Sequence, residues 1–412
     1  MATGDGLLVR LHPLAGRLTA DQARLIAETA RQHGNSHLDV TARGNLQIRG
    51  VREDTYPALM TRLDQEGLVE PESDGPNRLV MISPLAGIDP GERLDTLALA
   101  QTIEAKARSI SGLPAKFFIA IDGGSQLPLD MVGADLHLTA YDDTVIAFAR
   151  AAPDGLHWIG ETSLSQATEA VGAILSGYAA MRETGRTEAR RLRDLQPDLI
   201  LELAARAALK TTTRLSPRHP APRAGILNNR NGKAVLLALP FGRCTDAQLE
   251  LAASWSKRFG TSEIRLSFTR GILLPGVTQA HLTELLNEAA QSGFVTEAGD
   301  PRLSLHACPG KPDCASALMP APADALRIAK TCSDLLSQGV TFHVSGCAKG
   351  CAHPGISDLT LIGRDDGRYG VVRHGCARDI PFLHLSVKEI MNRLLPLSSL
   401  DDLHRAFPEN AR

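Results

Sequence analysis

The sequence predicts an α+β fold made by internal duplication, with two small strand–helix–strand–helix units paired into one domain and two larger α/β units. Three observations carry that expectation. Short β–α landmarks recur at a shared offset (Thr19 and Thr245, 226 apart), a Pro- and Arg-rich segment separates the copies, and six of the cysteines gather late in the chain. Repeats are weighed first because they set the architecture.

The first landmark is Gly16-Arg-Leu-Thr-Ala-Asp-Gln22 against Gly242-Arg-Cys-Thr-Asp-Ala-Gln248. In each, a Thr stands three residues before a Gln at the start of an apolar-periodic segment. That is a capping box, which satisfies orphaned backbone N–H groups at a helix start. Strand-like runs follow, His37 to Gly44 and Ile264 to Gly271, leading into Gly50-Val51 and Gly276-Val277. The strands need a one-residue slip, which matches Arg43 with Arg270. A second helix and the exits Gly67-Leu-Val-Glu70 and Gly293-Phe-Val-Thr296 complete each small unit. Either alone is too small to bury its apolar face, so residues 1–72 and 224–298 are expected to pair.

The larger units, 75–185 and 300–412, also match. Arg78-Leu-Val-Met-Ile-Ser-Pro84 faces Arg302-Leu-Ser-Leu-His-Ala-Cys308, and Ala134-Asp-Leu-His-Leu138 faces Ser357-Asp-Leu-Thr-Leu361. Residues 186–223 join the copies: Thr187 to Leu209 reads as helix, and Ser216-Pro-Arg-His-Pro-Ala-Pro-Arg223 as a surface linker.

With 43% hydrophobic and 22% charged residues and a formal charge of −2, composition gives no global pull toward nucleic acid or membrane. An anion site must be built from local basic residues. The N-terminus shows no basic region followed by an apolar stretch, and no apolar run has bilayer-spanning length. The expected location is cytoplasmic.

Seven cysteines in a large chain of this kind do not suggest a disulfide framework. Cys308 and Cys314 form C-x5-C, and Cys347 and Cys351 form C-x3-C. Between them lie a helix-like segment, Ala321 to Ser337, and a β-like run, Thr341 to Ser345. Two loops at the ends of adjacent elements could bring four thiolates to one centre, the number a [4Fe–4S] cluster needs. Small, Gly-rich surroundings would let backbone N–H groups approach the cluster sulfurs. Zinc or free thiols are the alternatives, although structural zinc prefers tighter knuckles than C-x5-C. Cys244, Cys332 and Cys376 read as structural thiols.

A row of donors stands near the N-terminus. On a strand Arg43-Gly-Asn-Leu-Gln-Ile-Arg49, alternation places Arg43, Asn45, Gln47 and Arg49 on one face. Such a row, roughly 20 Å long at about 3.3 Å per residue, would suit a ligand edged with carboxylates, which arginine binds bidentately. A solvated sheet face is the alternative. In the second copy Arg270 remains, while Ile272 and Leu274 replace the other donors.

The cysteine pattern, together with Thr41-Ala-Arg-Gly-Asn-Leu-Gln-Ile-Arg-Gly50, resembles the sulfite/nitrite reductase family. The likeness extends through Asn77-Arg78, Ser83-Pro-Leu-Ala-Gly-Ile-Asp-Pro90 and Leu113-Pro-Ala-Lys-Phe117. It implies a duplicated fold with two ferredoxin-like half-domains and a [4Fe–4S] cluster on Cys308, Cys314, Cys347 and Cys351, commonly beside siroheme. It also implies that Arg78 and Lys116 point at the ligand, with Lys349 as a further candidate. Two departures stand out. Lys349 replaces the usual Asn between the last two cysteines, and the segment Ala134 to Trp158 is too brief to supply the reductases' basic residues. His343-Val-Ser-Gly-Cys-Ala-Lys-Gly-Cys-Ala-His-Pro354 and the short length most resemble the cobalamin-pathway members. Those hydroxylate precorrin-3A at C20 with dioxygen and close a γ-lactone.

Oxygen chemistry needs one-electron delivery that side chains cannot supply. A mononuclear non-haem iron is an attractive second centre, yet no compact H-x-D/E…H signature is present. His306 and His353 lie nearest the cysteine loops, and His343 reads as a strand residue with a satisfied hydrogen bond. No G-x-G-x-x-G follows a strand, so NADH-derived electrons would arrive through a separate reductase or ferredoxin. A siroheme-dependent sulfite or nitrite reductase and a non-catalytic tetrapyrrole carrier with a structural cluster are the competing readings.

Overall fold

The computed structural model describes residues 2–69, 76, 78–152, 154–212, 216 and 218–408. Asn77, part of the linker and the 70–72 boundary lie outside them.

Four five-stranded sheets come in two related pairs. The first sheet runs in the order Ala2–Thr3, Gly6–Leu11, Leu46–Val51, His37–Val40, Arg243–Thr245. The second mirrors it as Gly225–Asn229, Gly232–Ala238, Gly271–Val277, Glu263–Ser267, Arg17–Thr19. Each sheet thus takes its last strand from the other copy. Helices Ala20–His33 and Asp246–Phe259, each opened by a capping box on Thr19 or Thr245, help close one shared apolar core. The small units form a single domain because neither sheet is complete alone.

The larger units have matching sheets, Val80–Ile82, Ile119–Asp122, Leu136–Ala140, Val145–Ala152, Gly155–Ser163 and Leu305–Ala307, Phe342–Ser345, Ser357–Gly363, Tyr369–Gly375, Leu383–Leu385. In both, the first three strands are parallel and the last two antiparallel. Each unit has its own core. Docking is crossed. Arg49 of the first sheet donates to the Asp313 carbonyl (2.6 Å), whereas Arg265 of the second donates to the carbonyls of Pro84 (2.9 Å) and Ala86 (2.8 Å).

Backbone conformation corrects the expected slip. Left-handed residues recur at a constant spacing of 226: Gly6/Gly232, Ala15/Phe241, Gly16/Gly242, Ser36/Ser262, Gly44/Arg270, Gly50/Gly276 and Gly67/Gly293. Thr41 accepts the Arg43 amide as Ser267 accepts that of Thr269, both at 3.2 Å. Arg270 therefore matches Gly44, not Arg43. The strand expected over 43–49 begins only at Leu46, because the Thr41 hydroxyl takes the Arg43 and Asn45 amides and holds 41–45 as a turn.

Two helix expectations shorten for local reasons. Within 187–209 only Pro197–Arg206 is α-helical, since Pro197 sets the helix start and Asp135 pins the preceding segment through Arg191 and the Leu192 amide. The 321–337 segment divides into Ala321–Thr331 and Ser333–Ser337 at Cys332, which leaves the helical region.

Candidate functional site

Strands Leu305–Ala307 and Phe342–Ser345 lie side by side and parallel, and each releases a cysteine loop at its carboxyl end. Open α/β sheets bind ligands at that edge. Cys308 follows the first strand directly. The Gly346 amide, just past the second, donates to the Cys308 sulfur at 3.0 Å. Burial pushes the Cys308 thiol pKa up; amides of Gly346 and Gly310 oppose this, and the charges of Cys347 and Cys314 reach it. Cys308 and Cys351 share one cavity wall, and Cys314 and Cys347 lie on the same two loops.

The surroundings suit a sulfur-ligated group. A Cβ on Gly346 would stand 2.9 Å from the Ala317 Cβ and 3.3 Å from the Cys308 sulfur, so only glycine leaves the amide this close. Amides aimed at a thiolate favour the charged ligand form and tune a cluster. Among the described residues, no three His, Cys, Asp or Glu side chains gather tightly enough to ligate a single ion. The expected mononuclear iron therefore finds no preassembled triad there.

A cavity of about 270 Å³ opens beside Cys308 and Cys351, walled by Asp39 and Gln47 from the first sheet and by Arg243 and Arg270 from the second copy. The expected row of four donors is divided. Gln47 and Arg49 both line this cavity. Arg49, 4% exposed, is bound by Asp5 and Asp39 and by the Asp313 carbonyl, so its charge is compensated internally. Arg43 sits in the turn, stacks 3.9 Å from the Phe118 ring centre and donates to the Lys116 carbonyl at 2.8 Å. Burial pulls the Arg43 pKa down to about 10. Arg43, Asn45 and Arg78 line a separate recess of about 20 Å³. The Lys116 side chain is exposed, and Lys349 donates to the Ser316 hydroxyl at 2.7 Å.

Sequence reasoning missed Arg243, which joins Asp39 and Asp313 in the ion network below the cavity. Spacing carried no trace of it, because Arg243 is an edge strand exchanged between copies. Arg223 was also missed; it lay in the presumed linker but reaches the Leu303 carbonyl. Among the other cysteines, Cys244 is wholly buried, its pKa pushed up to about 12. The Cys332 thiol donates to the Ile328 carbonyl at 3.1 Å, and Cys376 is half-buried.

The histidines form a group. His306 and His343 are direct neighbours across the parallel strands. His353 stacks on His306 with ring centres 4.2 Å apart and meets His343 edge-on at 5.9 Å. His343 is the expected strand residue and is fully buried, but its expected hydrogen bond is missing: neither ring nitrogen has a partner among the described residues. Burial holds the pKa of His306 near 2 and that of His343 near 4.

Comparison with known proteins agrees with this architecture. The profile of the nitrite/sulfite reductase ferredoxin-like half domain matches residues 1–66 and 228–292. A precorrin-3B synthase from Sinorhizobium is 31% identical, across all of this chain and 89% of that protein. The chain belongs to the nitrite/sulfite reductase family. A ferredoxin–nitrite reductase from Synechococcus elongatus is 26% identical over 89% of the chain and 78% of its own length. The NirA structure from Mycobacterium tuberculosis shares the fold, with a TM-score of 0.74 at 22% identity over 94% of this chain and 79% of that one. The α+β duplicated family fold expected from the sequence is thus established. No helix among the described residues is long and apolar enough to cross a membrane.

Proposed function

We propose that this family member is an oxygen-dependent hydroxylase of precorrin-3A, inserting oxygen at C20 and closing a γ-lactone in aerobic cobalamin biosynthesis. The full-length similarity to a precorrin-3B synthase carries the reading. The arginine-walled cavity against the cysteine loops supports it.

Cys308, Cys314, Cys347 and Cys351 would hold a [4Fe–4S] cluster, which when bound supplies single electrons. One atom of dioxygen enters the substrate and the other leaves as water. Two electrons and two protons are consumed, the electrons coming from an external NADH-linked reductase or ferredoxin. The protein's own part is positional. Gln47 and Arg270 present donors into the cavity, and the compensated Asp39–Arg49–Arg243 network fixes the wall from which Gln47 projects. The oxygen-activating iron would require movement of the histidines or ligation by the macrocycle itself.

A siroheme-dependent reductase is the second reading, favoured by the 26% identity to a nitrite reductase. Anaerobic purification with optical and EPR spectra before and after dithionite separates the two. About four sulfides per chain without siroheme, followed by oxygen-dependent conversion of precorrin-3A, is the expected result. A Soret band coupled to the cluster would establish the reductase. Zinc without sulfide would overturn both.

A further inference from the structure

The hairpin turn Thr3–Gly6 of the first small unit reaches the large unit that carries the clustered cysteines. Gly4 lies against the backbone where Cys314 joins Ala315. A Cβ on Gly4 would stand 2.1 Å from the Ala315 amide nitrogen and 2.5 Å from the Cys314 carbonyl carbon. No Cβ fits at such distances, so any residue but glycine pushes turn and loop apart.

Asp5 ties the same turn inward, its side chain 6% exposed. Its carboxylate accepts two bonds from Arg49, at 3.1 Å from Nε and 3.0 Å from a terminal nitrogen. Thr3 (2.6 Å) and Asn35 (3.0 Å) donate to it as well. Arg49 in turn donates to the Asp313 carbonyl at 2.6 Å, and Arg243 binds the Asp313 carboxylate. Asp313 directly precedes Cys314. A chain of charge-assisted bonds thus runs from the turn to the backbone beside a cysteine.

The matching turn of the second copy shows what the hairpin alone requires. At the spacing of 226, Arg230 and Asn231 stand for Gly4 and Asp5, and Pro275 for Arg49. That turn also docks on a large unit, the Arg230 amide donating to the Ile88 carbonyl at 2.9 Å. It does so with a large side chain and an uncharged neighbour. The close approach and the carboxylate therefore belong to the cysteine loop, not to the hairpin.

We propose that Gly4 and Asp5 are positioning residues for Cys314, an inference that rests on the cluster reading above. The turn fixes the backbone on both sides of this cysteine, Asp313 through Arg49 and Ala315 through the Gly4 contact. A ligand with fixed neighbours loses little conformational freedom when it binds iron, so iron leaves slowly.

The test is iron release to bathophenanthroline from the anaerobically purified full chain, with sulfide analysis and the EPR spectrum after dithionite. Asp5→Asn keeps the side-chain shape and removes its charge, whereas Gly4→Ala adds the Cβ that the loop does not admit. Each is expected to release iron about tenfold faster than wild type and to change the EPR line shape of the reduced protein. Asn231→Ala, in the matching turn of the second copy, should do neither. A lowered urea midpoint with the wild-type line shape and release rate would mark a merely structural turn. That result would overturn the positioning role and leave the proposed function standing. Wild-type protein without iron and sulfide would overturn the cluster reading and this inference with it.

Discussion

The two larger units share strand order and register but have opposite interiors at the same edge. In the second unit the row His306, His343, Thr360 crosses three strands, and Cys308 follows the first strand. In the first unit the same row reads Met81, Ala120, His137, and Ser83 stands where Cys308 does, which corrects by one residue the sequence match of Pro84 with Cys308. Ser83 bonds Ser125 at 2.8 Å, and Ser125 bonds the buried Asp89 at 2.9 Å. Met81, Phe118, Ala120, Leu129, Val132 and Ala134 fill the rest of that face. Hydroxyls and carboxylate satisfy one another in the first copy, beside the unpaired His137 Nε2, while the second keeps thiols, the unpaired His343 ring and a cavity. The matched recesses measure about 20 and 270 Å³. Duplication has let one copy become a packed wall while the other keeps the cysteine loops and an open cavity.

The sharpest way to break this comparison is to remove a cysteine. Cys351→Ser should lose cluster iron and sulfide to background, and turnover with them. Ser83→Cys in the first unit should bind neither, since its loop keeps the hydroxyl–carboxylate network. Full cluster absorbance in Cys351→Ser would show that the two edges differ for another reason.

The next effect concerns the wall between the small domain and the cluster unit. Arg49→Leu leaves Asp5 and Asp39 without this partner at a buried site, and loss of one partner of such a network costs about 3–5 kcal/mol. The second copy has Pro275 at the matching position, and its sheet is held instead by Arg17 and Arg265 on the partly exposed Glu263. Urea denaturation reads the difference. A loss below about 1 kcal/mol would mean that the network is solvated.

A smaller effect separates the copies by pH. His137 is buried, its Nε2 has no partner, and burial holds its pKa near 4. The matching Thr360 does not titrate and donates to the Gly375 carbonyl at 2.7 Å. An unfolded histidine binds its proton near pH 6.5, so below that pH the unfolded chain takes up a proton that the folded one refuses. The folded state therefore loses stability as pH falls from about 6.5 toward 4, by about 2 kcal/mol between pH 7 and 5 for this group. His137→Thr should flatten that portion of the stability profile. An unchanged slope would sink the assignment.

What the sequence made legible follows from the range of each interaction. The capping boxes on Thr19 and Thr245 are local, so sequence alone located both helices. The cysteine loops were legible because two adjacent parallel strands end beside one another. The donor row is split, Gln47 and Arg49 on one cavity and Arg43 and Asn45 on another, because the Thr41 turn, another short-range device, delays the strand to Leu46. Arg243 and Arg223 were invisible because strand exchange and the path between the copies place them, and neither leaves a periodic trace.

Arg270 gives the finest distinction between the copies. Its φ of +63° repeats the +64° of Gly44, so the first copy uses the residue that tolerates this geometry and the second does not. A non-glycine residue there stores about 1 kcal/mol of strain, and such strain persists where function holds it. Arg270→Gly removes that strain and the repulsion from Arg223, at the loss of one bond to the Ala352 carbonyl and of the attraction to Asp39. We expect a net gain of about 0.5 kcal/mol, read as a raised melting temperature, together with weaker precorrin-3A binding. Opposite movement of stability and affinity is the signature of a residue kept for its ligand. Should both fall, Arg270 is a packing residue, and the left-handed turn of the second copy is held for the fold alone.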